Sequence, residues 1–136
     1  MARGKEKHTA RQQALQGLGR ELARRASSRC ELCTAQEALY PTELPPSPEM
    51  PELASALLLC SSCQPLLSTP PQIPATISDH DRAGHFLFLQ ESVWSETAPA
   101  QIASVRILRH LISLGEGWAM ELNESLYLMP EIEERL

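Results

Sequence analysis

Aromatic side chains are scarce in this chain, with two Trp, two Tyr and two Phe among 136 residues, or 4 %. So few rings exclude a core built on stacked aromatics, and they argue against a single-strand nucleic-acid binder that depends on a row of stacking platforms. There is no run of about eighteen apolar residues, which rules out a membrane-spanning helix and a membrane partner of that kind. The opening Met1-Ala2-Arg3-Gly4-Lys5-Glu6-Lys7 leads into no apolar stretch, so no signal peptide is expected and the compartment is read as cytoplasmic. A Gly-rich phosphate loop, a Ser-His-Asp set and a His-x-x-x-His pair are all missing, which removes the common enzyme signatures. Cysteine occurs only four times.

Those four cysteines organise the rest. They form two Cys-x-x-Cys pairs, Cys30-Glu31-Leu32-Cys33 and Cys60-Ser61-Ser62-Cys63, with twenty-six residues between the pairs. Four thiolates are the number that a tetrahedral structural Zn²⁺ requires, and a two-residue spacer lets both sulfurs of a pair turn toward one ion from a tight knuckle. The gap exceeds the roughly fifteen to twenty residues usual for such a pattern, but the intervening stretch is proline-rich and can project as a loop. Two disulfides or a redox dithiol are the alternatives. The first needs an oxidising compartment and the second needs only one pair near a βαβ pattern. One zinc held by Cys30, Cys33, Cys60 and Cys63 is the reading adopted, and its binding energy would supplement a thin aliphatic core.

The net charge of −5 conceals a division along the chain. Residues 1–29 hold eight basic side chains (Arg3, Lys5, Lys7, Arg11, Arg20, Arg24, Arg25 and Arg29) and two acidic ones, a balance of +6. Residues 30–136 hold four basic and fifteen acidic side chains, a balance of −11. A basic arm can serve nucleic acid, with Arg11, Arg20, Arg24, Arg25 and Arg29 as the candidate phosphate contacts. It can equally be a solvated helix that neutralises the acidic remainder of its own domain.

In chain order, residues 1–8 are expected to be a disordered basic arm. A helix should start with Thr9 as its cap and bury Ala14, Leu15, Leu18, Leu22 and Ala26, with Gly17 and Gly19 weakening it, before ending at Ser27-Ser28. Ala38-Leu39-Tyr40 reads as a short strand, and Pro41 to Pro51, with five prolines, as an exposed loop. Ala56-Leu57-Leu58-Leu59 reads as a buried strand entering Cys60. A helical turn at Pro65-Leu66-Leu67 and a second proline loop follow. Residues 75–91 are ambiguous. Asp79-His80-Asp81 is a surface turn rather than a metal or acid–base cluster, because adjacent side chains do not converge, and His85 is taken as a partly buried structural histidine.

Ser95 or Thr97 should cap a helix with Pro99 in its first turn and Ile102, Val105, Leu108, Leu111 and Ile112 on its apolar side. Arg106, Arg109 and His110 suit the C-terminal half of that helix. Gly115-Glu116-Gly117 ends it. A last helix carrying Trp118, Leu122 and Leu126 should reach about Met129 and complete an antiparallel αα-hairpin, leaving an acidic, frayed tail. Tyr40, Trp94 and Trp118 are expected in the core or at an interface. The fold class is thus α+β: a small treble-clef or zinc-ribbon-like four-cysteine module with a basic N-terminal helix, and a C-terminal αα-hairpin. Residues 9–74 would carry the helix and the zinc module. Residues 75–136 would carry a linker and the hairpin, in one compact unit with that module.

Several stretches resemble a known family. Arg29-Cys30-Glu31-Leu32-Cys33, Tyr40-Pro41-Thr42-Glu43-Leu44-Pro45-Pro46 and Leu59-Cys60-Ser61-Ser62-Cys63 are similar to the N-terminal zinc-ribbon domain of PhnA-type proteins. Leu89-Gln90-Glu91-Ser92-Val93-Trp94-Ser95-Glu96 with Pro99-Ala100-Gln101, and Glu116-Gly117-Trp118-Ala119, resemble that family's later segments. The similarity covers about residues 18 to 128 and rests on order and context, since Cys-x-x-Cys alone is widespread. The basic N-terminal extension, the extra prolines and the lack of a following β-rich domain depart from the pattern. The resemblance implies a bacterial zinc-binding protein from a family named after a phosphonate-utilisation operon, without implying phosphonate chemistry. The knuckles also look like the frame of treble-clef HNH nucleases, which use histidines in the hairpin as base and metal ligand. Residues 34–59 contain no histidine, and Glu43 alone cannot do both jobs.

These features lead to a non-catalytic zinc-dependent interaction protein, with nucleic acid as the leading partner class. A protein–protein adaptor or a degenerate HNH-nuclease-like metalloprotein are the alternatives.

Overall fold

The helical spacing of Leu15, Leu18 and Leu22 is realised in two pieces. In the computed structural model, which describes residues 2–136 (side chains from residue 6), α1 runs Ala2–Gly17 and α2 runs Gly19–Ala26, with a turn at Leu18 between them. The break falls between the two glycines, each of which weakens a helix interior by up to about 1 kcal/mol. Residues 2–8, expected as a disordered arm, instead continue α1. Thr9 is therefore interior and not a cap. Extending an existing helix is far easier than nucleating one, and no breaker stands at Thr9. At the other end α2 stops where expected. Ser27 and Ser28 are left-handed (φ 54° and 56°), and the Ser28 amide closes on the Ala23 carbonyl at 2.8 Å, satisfying a carbonyl that the helix end would otherwise orphan.

Strand β1 (Leu39–Glu43) pairs antiparallel with β2 (Ala56–Cys60), in a register that sets Leu39 opposite Cys60 and Glu43 opposite Ala56. The strand thus runs through Pro41, which the proline count assigns to loop. A two-stranded ribbon is all edge, so a residue without an N–H is tolerated there. All five residues of β2 are buried. Leu22, Ala56 and Leu58 form a core joined by Leu15, Leu18, Ala23, Ala26, Leu39 and Leu53, so the apolar side of the helices lies on the ribbon. Ala14 is half-buried.

The chain divides into two compact units, residues 1–64 and 65–136. The mixture of helices with one small sheet makes the class α+β.

The second unit is helical. Its short elements α3 (Arg82–His85) and α4 (Leu89–Ser92) resolve the ambiguous stretch as helical turns, with Phe86, Leu89 and Val93 fully buried. His80 sits exposed in a turn, as expected. His85 is also exposed, contrary to expectation, and its ring meets Phe86 edge-on at 4.8 Å. Helix α5 (Ala98–Ser113) follows Thr97, whose amide donates to Ser95 Oγ at 3.1 Å. Ile102, Val105, Leu108 and Leu111 are buried, and so are Ala103, Ser104 and Ile107, a wider face than the expected stripe; Ile112 is only half-buried. Ser104 Oγ and Ser92 Oγ lie 2.7 Å apart and tie α5 to α4.

Helix α6 (Gly117–Ser125) packs on α5 across a three-residue link. It ends four residues short of Met129, with Leu126 already extended, and Met129 itself is held extended by Pro130. Pro130 then opens a further helix, α7 (Pro130–Glu133), with Ile132 buried and the Arg135 carbonyl accepting Arg106 Nη2 at 2.6 Å. The tail is thus ordered and not frayed. Trp118 is half-buried and donates Nε1–H to Glu116 at 2.9 Å, whereas Trp94 and Tyr40 are 47 % and 45 % exposed and belong to no core. No helix of the described residues is long and apolar enough to cross a membrane.

Candidate metal centre

Each cysteine pair is presented by a turn at one end of a regular element. After α2 the backbone reverses through Ser27 and Ser28, and the Cys30 amide donates to the Ala35 carbonyl (2.8 Å) while the Thr34 amide donates to the Cys30 carbonyl (3.0 Å). Thr34, at φ 68°, completes the first knuckle. The second begins at the last residue of β2, where the Cys63 amide donates to the Cys60 carbonyl at 3.0 Å. Strand pairing places Leu39, just beyond the first knuckle, opposite Cys60.

The result is a single cluster. All four sulfurs lie within 4.8 Å of one another, Cys33 Sγ and Cys60 Sγ are 3.5 Å apart, and none of the four is in a disulfide. Cys30, Cys60 and Cys63 are buried and Cys33 is half-buried. A tetrahedral ion with Zn–S bonds of about 2.3 Å spaces its sulfurs by about 3.8 Å, so the donor set fits such an ion in number, chemistry and size. These four cysteines could hold a metal ion.

Electrostatics favour a cation here. A hydrogen bond from Cys63, with help from backbone amides, pulls the Cys30 thiol down to about 4, so Cys30 is a thiolate at neutral pH. Burial, together with the charge on Cys30, pushes Cys33 up to about 11. Cys63, which donates to Cys30 and is itself buried, is pushed up strongly. The Cys30 sulfur is thus favoured as the thiolate while Cys33 and Cys63 are favoured as thiols, and a divalent cation would replace those two protons.

The arginines singled out from the sequence separate into two groups. Arg11 reaches Glu43 with Nε–Oε2 at 2.8 Å and Nη2–Oε1 at 2.6 Å, and also donates to the Pro48 and Glu49 carbonyls. Arg25 reaches Glu31 with Nε–Oε2 at 3.0 Å and Nη2–Oε1 at 2.8 Å, and donates to the Leu53 and Ala56 carbonyls. Both are committed to internal partners. Arg20, Arg24 and Arg29 are exposed, and the first two lie one turn apart on α2.

No family model, curated protein or solved structure matches this chain. The site therefore has to be read from its own geometry.

Glu31 is the residue beside the site that the sequence alone does not single out. It is the first spacer residue of a Cys-x-x-Cys pair, yet its side chain is only 5 % exposed. A carboxylate between two metal-ligand candidates is the sequence signal. Its pairing with Arg25 depends on the left-handed turn between them, which no periodicity reveals.

Proposed function

We propose that this chain is a zinc-binding interaction protein that uses the ion structurally and not catalytically. The observation that carries the reading is the four-sulfur cluster. Four cysteines complete a tetrahedral shell and leave no position for water or substrate. Structural zinc suits them better than a disulfide pair, since the thiols are free and share one centre. A reducing compartment such as the cytoplasm would keep them so.

We further propose the treble-clef and PhnA-type readings for the cysteine-bearing unit. They are supported by the order helix, knuckle, β-ribbon, knuckle, and by the quoted residues that fall on those elements. A nuclease role is disfavoured by the residues present. Residues 34–59 contain no histidine, and Glu43 is already gripped by Arg11.

The partner we favour is nucleic acid, met through the exposed Arg20, Arg24 and Arg29. These three replace the five-arginine set, because Arg11 and Arg25 are engaged elsewhere. The test is a titration of the zinc-loaded protein against duplex DNA, single strands and structured RNA at several salt concentrations. Changing Arg20, Arg24 and Arg29 together to Gln should weaken binding and flatten the salt slope by up to about three units. Unchanged binding by that variant, or none at low salt, rejects this face. A protein partner is the second reading. It is favoured by the exposed Leu87, Trp94, Met120, Tyr127 and Met129 of the second unit, and a protein recovered by affinity capture that is lost on Trp94→Ala would support it.

A further inference from the structure

One residue of the first knuckle bonds twice to the strand that carries the second. The Glu31 amide donates to the Leu58 carbonyl at 2.9 Å, and the Leu58 amide donates back to Glu31 Oε1 at 2.9 Å. Leu58 stands two residues before Cys60, on the same strand. Glu31 stands between Cys30 and Cys33. The two halves of the cysteine cluster are thus held in register by main-chain and side-chain atoms of one glutamate.

Arg25 completes the arrangement. Its guanidinium meets both carboxylate oxygens of Glu31 in a fork geometry and extends to the carbonyls of Leu53 and Ala56. One side chain therefore joins α2, the first knuckle and the entry to β2. Side-chain exposure is 24 % for Arg25 and 5 % for Glu31, so the pair is well withdrawn from water. Planar bidentate pairing of this kind fixes orientation as well as distance, and lysine cannot reproduce it.

We infer that Arg25 and Glu31 are a positioning pair for the metal centre, holding the two knuckles at metal-binding separation before the ion arrives. The inference rests on the metal reading above and assigns to Arg25 a role opposite to that of a surface phosphate contact. The four sulfurs crowd one another, and ordering them during metal uptake would cost affinity; a scaffold ordered beforehand avoids that cost. Partners that orient metal ligands in this way typically change metal affinity by about 10- to 100-fold when removed.

The molecule supplies its own comparison. Arg11–Glu43 is a second bidentate pair in the same unit, between α1 and β1, and it touches neither knuckle. The experiment measures Zn²⁺ affinity of the full chain by competition with a chromophoric chelator, and the absorption spectrum of the Co²⁺-loaded form. The variants are Glu31→Gln, Arg25→Lys and Glu43→Gln. Glu31→Gln and Arg25→Lys should each weaken Zn²⁺ binding by about 10- to 100-fold and broaden the Co²⁺ ligand-field bands, while Glu43→Gln leaves both unchanged. The two substitutions combined should cost little more than either alone, since they remove one shared contact. Circular dichroism of the loaded proteins identifies any variant that has failed to fold; Arg25→Lys, which keeps the charge and loses only the fork, decides the matter if Glu31→Gln does fail. Equal affinities in all three variants overturn the inference, as does an equal loss in all three, which would mark general destabilisation. A wild-type chain that takes up no metal is a separate outcome and removes the metal reading itself.

Discussion

Arg11 holds Glu43 across thirty-two residues of sequence with two contacts, at 2.8 and 2.6 Å. That pair fastens α1 to β1 and takes the most prominent arginine of α1 away from any external partner. Glu43→Gln should therefore lower the thermal midpoint of the protein. Because the pair is partly exposed, the loss should shrink as salt is raised. Thermal unfolding followed at low and high ionic strength measures it. The same variant should bind nucleic acid as the wild type does, and a change in its salt slope would return Arg11 to the set of phosphate contacts.

The cysteine cluster predicts one metal ion per chain. Elemental analysis of purified protein should return one zinc, and each Cys→Ser change should destabilise residues 1–64 severely, because the binding energy of a structural zinc, on the order of 10 kcal/mol or more, is also folding energy. Residues 65–136 should keep their helical signal in those variants. Absence of zinc from the wild type, with no increase in reactive thiol on adding a chelator, would refute the assignment.

Metal binding should also release protons, and the sign follows from the thiols. At pH 7 Cys30, pulled down to about 4, has already lost its proton. Cys33, pushed up to about 11, and Cys63, pushed up further, still hold theirs. Binding at pH 7 should then expel at least the two protons of Cys33 and Cys63, so affinity rises as pH rises and falls steeply on acidification. Calorimetry in buffers of different ionisation enthalpy counts the protons. A count below two would show that the metal-free sulfurs are charged differently.

The second unit offers a contrast between two of its apolar residues. Leu108 is fully buried on α5, and its truncation to Ala should cost about 2–5 kcal/mol. Trp94 is 47 % exposed, and Trp94→Ala should cost less than the Leu108 truncation. Denaturant unfolding gives both values. In variants retaining a single tryptophan, Trp94 should emit as a solvated indole and Trp118 at shorter wavelength. A shielded Trp94 would mean that its face is covered in solution.

What the sequence determined by itself is local or periodic. The Cys-x-x-Cys pairs announced one four-sulfur site at Cys30, Cys33, Cys60 and Cys63, because a two-residue spacer limits how two sulfurs can turn. The run Ala56–Leu59 showed a buried strand, and the three- and four-residue steps through Leu22 and through Leu108 showed helices, because burial follows the pitch of the backbone. The passage of β1 through Pro41 and the short helix at Pro130 were settled by tertiary contacts. So was the division of the arginines. Arg20, Arg24 and Arg25 read alike in sequence, since all three are long cations on one basic helix. Only the folded chain brings Glu31 and the carbonyls of Leu53 and Ala56 within reach of Arg25, and only there does Arg11 meet Glu43. A long flexible side chain takes its partner from whatever the fold carries to it, and residues six or thirty-two positions apart, with turns and strands between them, follow no helical or strand period.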